Sequence, residues 1–217
     1  LIERVLAATE AAADQTVLTA MMEWRALAAD EAAQTALRTA IAPDRVWPAR
    51  EFFRAKVQEQ AQRHARFGGT ADNLEPNLKD GPGGLRDIQT LRWMAQRLLG
   101  SGHLESMLAF GQIGAVEFDT LERERKALSR LRFGLHLVAK RREERLRFDY
   151  QKLLAARLGH TDEADNLAVE QMMQGSVHVY GDVLDWYANW VKDFAILAWG
   201  FTFRDADHMQ KFLESPT

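Results

Sequence analysis

Two cations flank a glycine pair in the stretch Asn73-Leu74-Glu75-Pro76-Asn77-Leu78-Lys79-Asp80-Gly81-Pro82-Gly83-Gly84-Leu85-Arg86-Asp87. Lys79 lies just upstream of Gly83-Gly84, and Arg86 falls in the first turn of the helical pattern that follows. Free N–H groups and the macrodipole at a helix start favour an anion, and glycine permits close backbone approach or positive φ. The chemistry expected of this spacing is the binding of a phosphate or carboxylate. Asn73, Glu75, Lys79, Gly83, Gly84, Arg86 and Asp87 are its candidate substrate-binding residues. The alternative is a buried turn whose charges fasten it to neighbouring helices, with Glu75 and Asp87 pairing internally with Lys79 and Arg86. No G-x-x-x-x-G-K-[ST] pattern occurs, so this is not a P-loop.

A second group lies downstream. Arg125, Arg132, His136 and Lys140 recur at helical spacing and share one face of a long amphipathic segment. They form a candidate basic docking face for nucleotide or acidic protein. The competing reading is a solvated face held by i,i+4 ion pairs with the interspersed glutamates. Nucleic-acid binding is disfavoured, because no known motif appears and no aromatics interleave the cations. The histidines lack H-E-x-x-H or similar spacing and cysteine is absent, so no metal site is expected.

The elements that must position these groups read as helices throughout. Apolar periodicity predicts helices over residues 1–29 (broken near Asp14, a candidate N-cap), 31–41, 48–66, 85–99, 104–110, 115–140 and 149–158. Pro48 is placed at a first helical position, Gly159 as a C′ stop, and Asp165 as the cap of a helix containing Leu167, Val169 and Met172. Leu85, Ile88, Leu91, Ala95 and Leu98 give the helix after the glycines an apolar face. The fold class expected is all-α, a helical bundle with one long Gly/Pro-rich loop over residues 67–84. Loops of that length in compact domains are usually functional or disordered.

At 217 residues, with 47% hydrophobic and 27% charged, the composition is that of an ordinary globular chain. A net charge of −3 implies no polyanionic partner. No apolar run reaches the roughly 18 residues of a membrane span, and no signal-peptide pattern opens the sequence. Lack of cysteine fits a reducing cytoplasm. Leu1 in place of an initiator Met suggests a sequence excised from a longer one.

The string from Asn73 to Trp93 resembles the signature of the bacterial PII uridylyltransferase/uridylyl-removing enzymes. Trp47-Pro48 with Phe52, Phe53 and Ala55-Lys56-Val57 is similar to the same family, as are Gln62-Arg63-His64 and Arg132-Phe133-Gly134-Leu135-His136-Leu137. So are Arg145-Leu146-Arg147-Phe148-Asp149 and Asn166-Leu167-Ala168-Val169-Glu170-Gln171-Met172-Met173. The order holds from about Asp14 to Gln174.

The resemblance implies the helical region that follows a nucleotidyltransferase domain, a bundle like other nucleotidyltransferase substrate-binding regions. It implies an enzyme that transfers UMP from UTP to the PII signal protein. Magnesium and UTP are expected for the full enzyme, and no cofactor for this fragment. The family's Gly-rich turn followed by paired carboxylates on a strand is missing, as is an adjacent His-Asp pair. Asp205-Ala206-Asp207 lies too near the chain end to serve. No catalytic residue is therefore assigned to this chain. Its partners would be PII and the adjoining nucleotidyltransferase domain, with neither nucleic acid nor membrane.

Residues 1–174 are read as the helical uridylyltransferase-type domain and 175–217 as a divergent helical segment, with Trp186, Trp190 and Trp199, that the resemblance does not reach. The alternatives are the related glutamine synthetase adenylyltransferase helical domain and a non-catalytic interaction module.

Overall fold

The computed structural model describes residues 10–68 and 73–173. The segment 175–217 lies outside the described residues. The helices are α1 (Gln15–Met22), α2 (Glu31–Ala40), α3 (Ala49–Ala65), α4 (Leu85–Leu99), α5 (Leu104–Ala109), α6 (Ala115–Ala139) and α7 (Phe148–Arg157). Among the described residues β pairing is limited to two isolated bridges, so the fold is all-α.

Local chemistry explains most helix starts. Asp14 caps α1, its carboxylate accepting from Thr16 N–H at 2.6 Å, and Asp30 does the same for α2 through Ala33 N–H at 2.6 Å. α3 follows Pro48, which is its N-cap and not its first helical residue. α4 stops at Gly100, whose φ of 76° is left-handed.

Three boundaries depart from the sequence expectation, each for a tertiary reason. The first helix ends at Met22 and not near residue 29, because α4 intercepts its end: Gln96 donates to Met22 O at 3.3 Å and Trp93 Nε1 to Glu23 at 2.8 Å. α7 begins at Phe148, whose N–H is capped by Glu75, a residue 73 positions away. The last helical stretch begins at residue 168, and its Ala168 N–H is held by Asp162 at 2.8 Å; Asp165 does not cap it.

Three apolar clusters make the core, and α4 enters all of them. Ile88 packs with Leu78, Leu128, Leu135 and Leu146. Leu91, Met94 and Ala95 pack with Phe53, Met107 and Leu121. Trp93 joins Leu18, Ile41 and Phe52. Arg97, buried on the same helix, donates to the carbonyls of Trp47, Ile41 and Ala42 and so clamps the turn before α3. Burial pushes its guanidinium down to about 10, still protonated at neutral pH.

Residues 73–84 are ordered by their own turn chemistry. Asn77 Oδ1 accepts from Lys79 N–H and Asp80 N–H at 3.1 and 2.7 Å. The segment also pairs with the chain between α6 and α7: Leu78 N–H donates to Glu144 O and Leu146 N–H to Pro76 O, at 2.8 and 2.9 Å. Leu78 and Leu146 carry this pairing into the core.

Gly84 sits where a Cβ would lie 2.8 Å from Lys79 O and 2.9 Å from Gly81 O, both backbone atoms that cannot swing aside. Gly84→Ala is expected to cost about 1–3 kcal/mol by overpacking. A thermal melt followed by circular dichroism checks this, and an unchanged midpoint would contradict the crowding.

Candidate functional site

α3 reads as a helix with a weak apolar face, yet Lys56, Gln60 and Arg63 are buried on it at helical spacing beside Phe52 and Phe53. Their partner is Asp87, in the first turn of α4 and fully buried. Its Oδ1 accepts from Gln60 Nε2 at 2.8 Å and from Arg63 Nη2 at 2.6 Å. Its Oδ2 accepts from Gly83 N–H at 2.8 Å and lies 3.0 Å from His64 Nε2. Burial alone would raise this carboxyl, and the hydrogen bond with His64 and the charge of Arg63 outweigh it, so the group is held below its ordinary value. Arg63 also donates to Asp80 O at 3.0 Å, which ties the loop directly to α3.

This geometry settles what the glycine-rich helix start can do. Gly83 N–H is taken by Asp87, Gly84 N–H by Gly81 O, Leu85 N–H by Leu78 O and Arg86 N–H by Lys79 O. The donors expected to hold an anion are therefore spent inside the loop, and any anion site here must be built from side chains. Gly83 has a φ of 74°, a left-handed conformation that suits glycine.

The other candidates separate into distinct environments. Asn73 accepts from Glu75 N–H at 3.0 Å, closing a local turn. Glu75 pairs with Arg145 at 3.1 Å and caps α7, so it faces away from Arg86. Arg86 extends the other way, its Nε 3.4 Å from Asp80 Oδ1 and its guanidinium 5.3 Å from the Trp93 ring. Lys79 is half-buried and feels the charges of Arg86, Asp80 and Glu144; among the described residues it forms no ion pair. Partial burial and then the charge of Arg86 lower its ammonium.

The basic face of α6 is likewise divided. Arg132 makes two hydrogen bonds of 2.6 Å to Glu144, and Arg142 adds a third at 3.1 Å. His136 Nε2 lies 3.9 Å from the same carboxylate. Arg125 pairs with Glu122 at 2.8 Å, and Lys140 is the exposed, left-handed C-cap of α6. The structure thus brings Arg132 and His136 together at Glu144, whose carboxylate also feels the charge of Lys79, and leaves Arg125 and Lys140 apart. Desolvation raises the Glu144 carboxyl, but the hydrogen bonds from Arg132 and Arg142 prevail and bring it to about 2.

Sequence reasoning did not assign Lys56, Gln60, Arg63, His64, Trp93 or Glu144 to the site. A signal for the α3 residues was present, because polar groups at positions 56, 60 and 63 continue the buried stripe of Phe52 and Phe53. Among the described residues no cluster of three His, Asp or Glu is placed to hold a metal ion.

The family model for GlnD PII-uridylyltransferase matches residues 51–189, from the start of α3 through the loop and both halves of the site. The chain belongs to this family. A bifunctional uridylyltransferase/uridylyl-removing enzyme of Xanthomonas axonopodis pv. citri (strain 306) is 63% identical over 166 residues, 76% of this chain and 19% of that protein. A protein of the same description from Stutzerimonas stutzeri (strain A1501) is 46% identical over 167 residues, 77% of this chain and 19% of its own length. The chain therefore spans about 19% of the length of the relatives it matches. No solved structure gives a significant match. No helix among the described residues is long and apolar enough to cross a membrane.

Two outcomes follow from these carboxylates. The Glu144 carboxyl is depressed from 4.5 to about 2, so its stabilisation is present above pH 4.5 and is lost as the pH falls through 2. The stability gap between native protein and Glu144→Gln, about 1–2 kcal/mol at pH 6 once solvent screening is allowed for, should close towards pH 2 in urea titrations. Asp87→Asn removes the closer counter-charge of the buried Arg63, leaving it only Glu59 at 3.4 Å, and should cost about 3 kcal/mol. A melting point within a degree of the native value would show that Asp87 is no anchor.

Proposed function

We propose that this chain is the helical segment of an enzyme that transfers UMP from UTP to the PII signal protein in nitrogen regulation. An adjoining nucleotidyltransferase domain would carry the paired carboxylates and magnesium of the chemistry, and this segment would position nucleotide or protein substrate for it. A reaction that consumes UTP fits the cytoplasm. The observation that carries the reading is the α3–loop–α4 unit itself. It lies within the family match, and Asp87 locks it from inside so that Arg86 and Lys79 project from a fixed backbone. Rigid presentation of charge is what positioning requires, since misplacement by about 1 Å can cost on the order of a hundredfold in rate.

The test uses the full-length enzyme carrying Lys79→Ala or Arg86→Ala, with uridylylation kinetics and thermal melting measured on each. A charge-assisted contact to substrate is worth about 1.5–3 kcal/mol, so kcat/KM should fall by about one to two orders of magnitude while the melting point holds. Normal kinetics in both variants beside a lowered melting point would reduce the unit to scaffold.

A further inference from the structure

On the open side of the Asp87 anchor, α1, α3 and α4 leave a cleft of about 350 Å3. Lys56, Arg63 and Arg66 enter it from α3 and its C-cap, and Arg86 from α4, with Thr16 on the facing rim. Lys56 is buried, with its ammonium 4.9 Å from the centre of the Trp93 ring. Arg86 lies over the same ring at 5.3 Å, so one indole fixes both cations.

Glu59, Asp80 and the enclosed Asp87 offset three of these four cations and leave a surplus of one, on Arg66. Glu59 is shared between Lys56 at 3.2 Å and Arg63 at 3.4 Å. Asp80 reaches Arg86 only at 3.4 Å. Asp87 is enclosed behind Arg63 and already accepts four contacts. Arg66 is exposed on the rim. Desolvation lowers the Lys56 ammonium, and Glu59 offsets only part of that. Four cationic side chains that converge from two helices offer many N–H donors to an anion with several oxygens, and the volume exceeds that of a single phosphate.

We propose that the cleft bounded by Lys56, Arg63, Arg66 and Arg86 binds a diphosphate group, either the tail of a nucleoside triphosphate or free pyrophosphate. The helix start contributes no backbone donors, which separates this site from the loop-centred arrangement that the glycines suggest. The source of the diphosphate rests on the proposed uridylyl transfer, which consumes a nucleoside triphosphate and releases pyrophosphate. Binding itself does not.

The experiment is calorimetric titration of the intact 217-residue chain with sodium pyrophosphate, and separately with UTP, in the absence of magnesium. Saturable, salt-sensitive binding of pyrophosphate is expected, weakened about tenfold or more by Arg86→Gln and by Arg66→Gln. Arg123→Gln, a surface change on α6, should leave it unaltered. Thermal melts of the two cleft variants should match the native chain, since neither residue is buried. UTP binding more than about tenfold tighter than pyrophosphate would assign the site to the nucleotide tail; equal affinity would assign it to pyrophosphate. No binding at millimolar pyrophosphate, binding indifferent to both arginines, or stronger competition by a polyglutamate peptide would each overturn the proposal. Because no transfer is measured, that failure would leave the role in uridylylation standing.

Discussion

A single carboxylate with no access to water organises this domain. Removing Asp87 from solvent is unfavourable unless its lone pairs are filled, and they are filled by Gln60, Arg63 and His64 of one helix and by the backbone of the loop. Those partners cannot all be met unless α3, the glycine turn and α4 adopt one relative placement. The apolar clusters on either side are non-directional and tolerate small slides. The ionic hydrogen bonds do not. Register between the two helices is thus set by charge and held by hydrocarbon.

The same division of labour recurs at the other end of the loop. Leu78 and Leu146 supply burial, whereas the backbone exchange between residues 76–78 and 144–146 fixes which residue faces which. Glu144 then gathers Arg132 and Arg142 over that junction. Much of the positive charge on α6 is therefore committed within the fold, while Lys56 and Arg86 beside Trp93 meet their carboxylates at the longer distances of 3.2 and 3.4 Å. A count of lysines and arginines along the sequence makes these two regions look alike, and only their carboxylate neighbours distinguish them.

Helix existence and type were legible because they depend on local periodicity and local caps, as at Asp14 and Asp30. Boundaries set from a distance were not: α1 is ended by side chains of α4, and α7 is started by Glu75. At the site, the loop and its two cations stood out from composition and turn chemistry. The destination of each cation did not, because Lys79 and Arg86 diverge according to the pairing of the loop with residues 144–146. Burial of Lys56 and Arg63 was hidden for a further reason. A stripe of long polar side chains is indistinguishable from a solvated face until something polar is found opposite it.

The capping of α7 by Glu75 has a kinetic corollary. α6 and α7 are neighbours in sequence and pack against one another, the low-contact-order arrangement that forms fast. The first turn of α7, however, has no side-chain cap of its own, and its N–H partner arrives from beyond three intervening helices. The hairpin can thus assemble early while its inner corner stays frayed until the loop docks. Completion of α7 then reports that α4 and the glycine turn have already found their places.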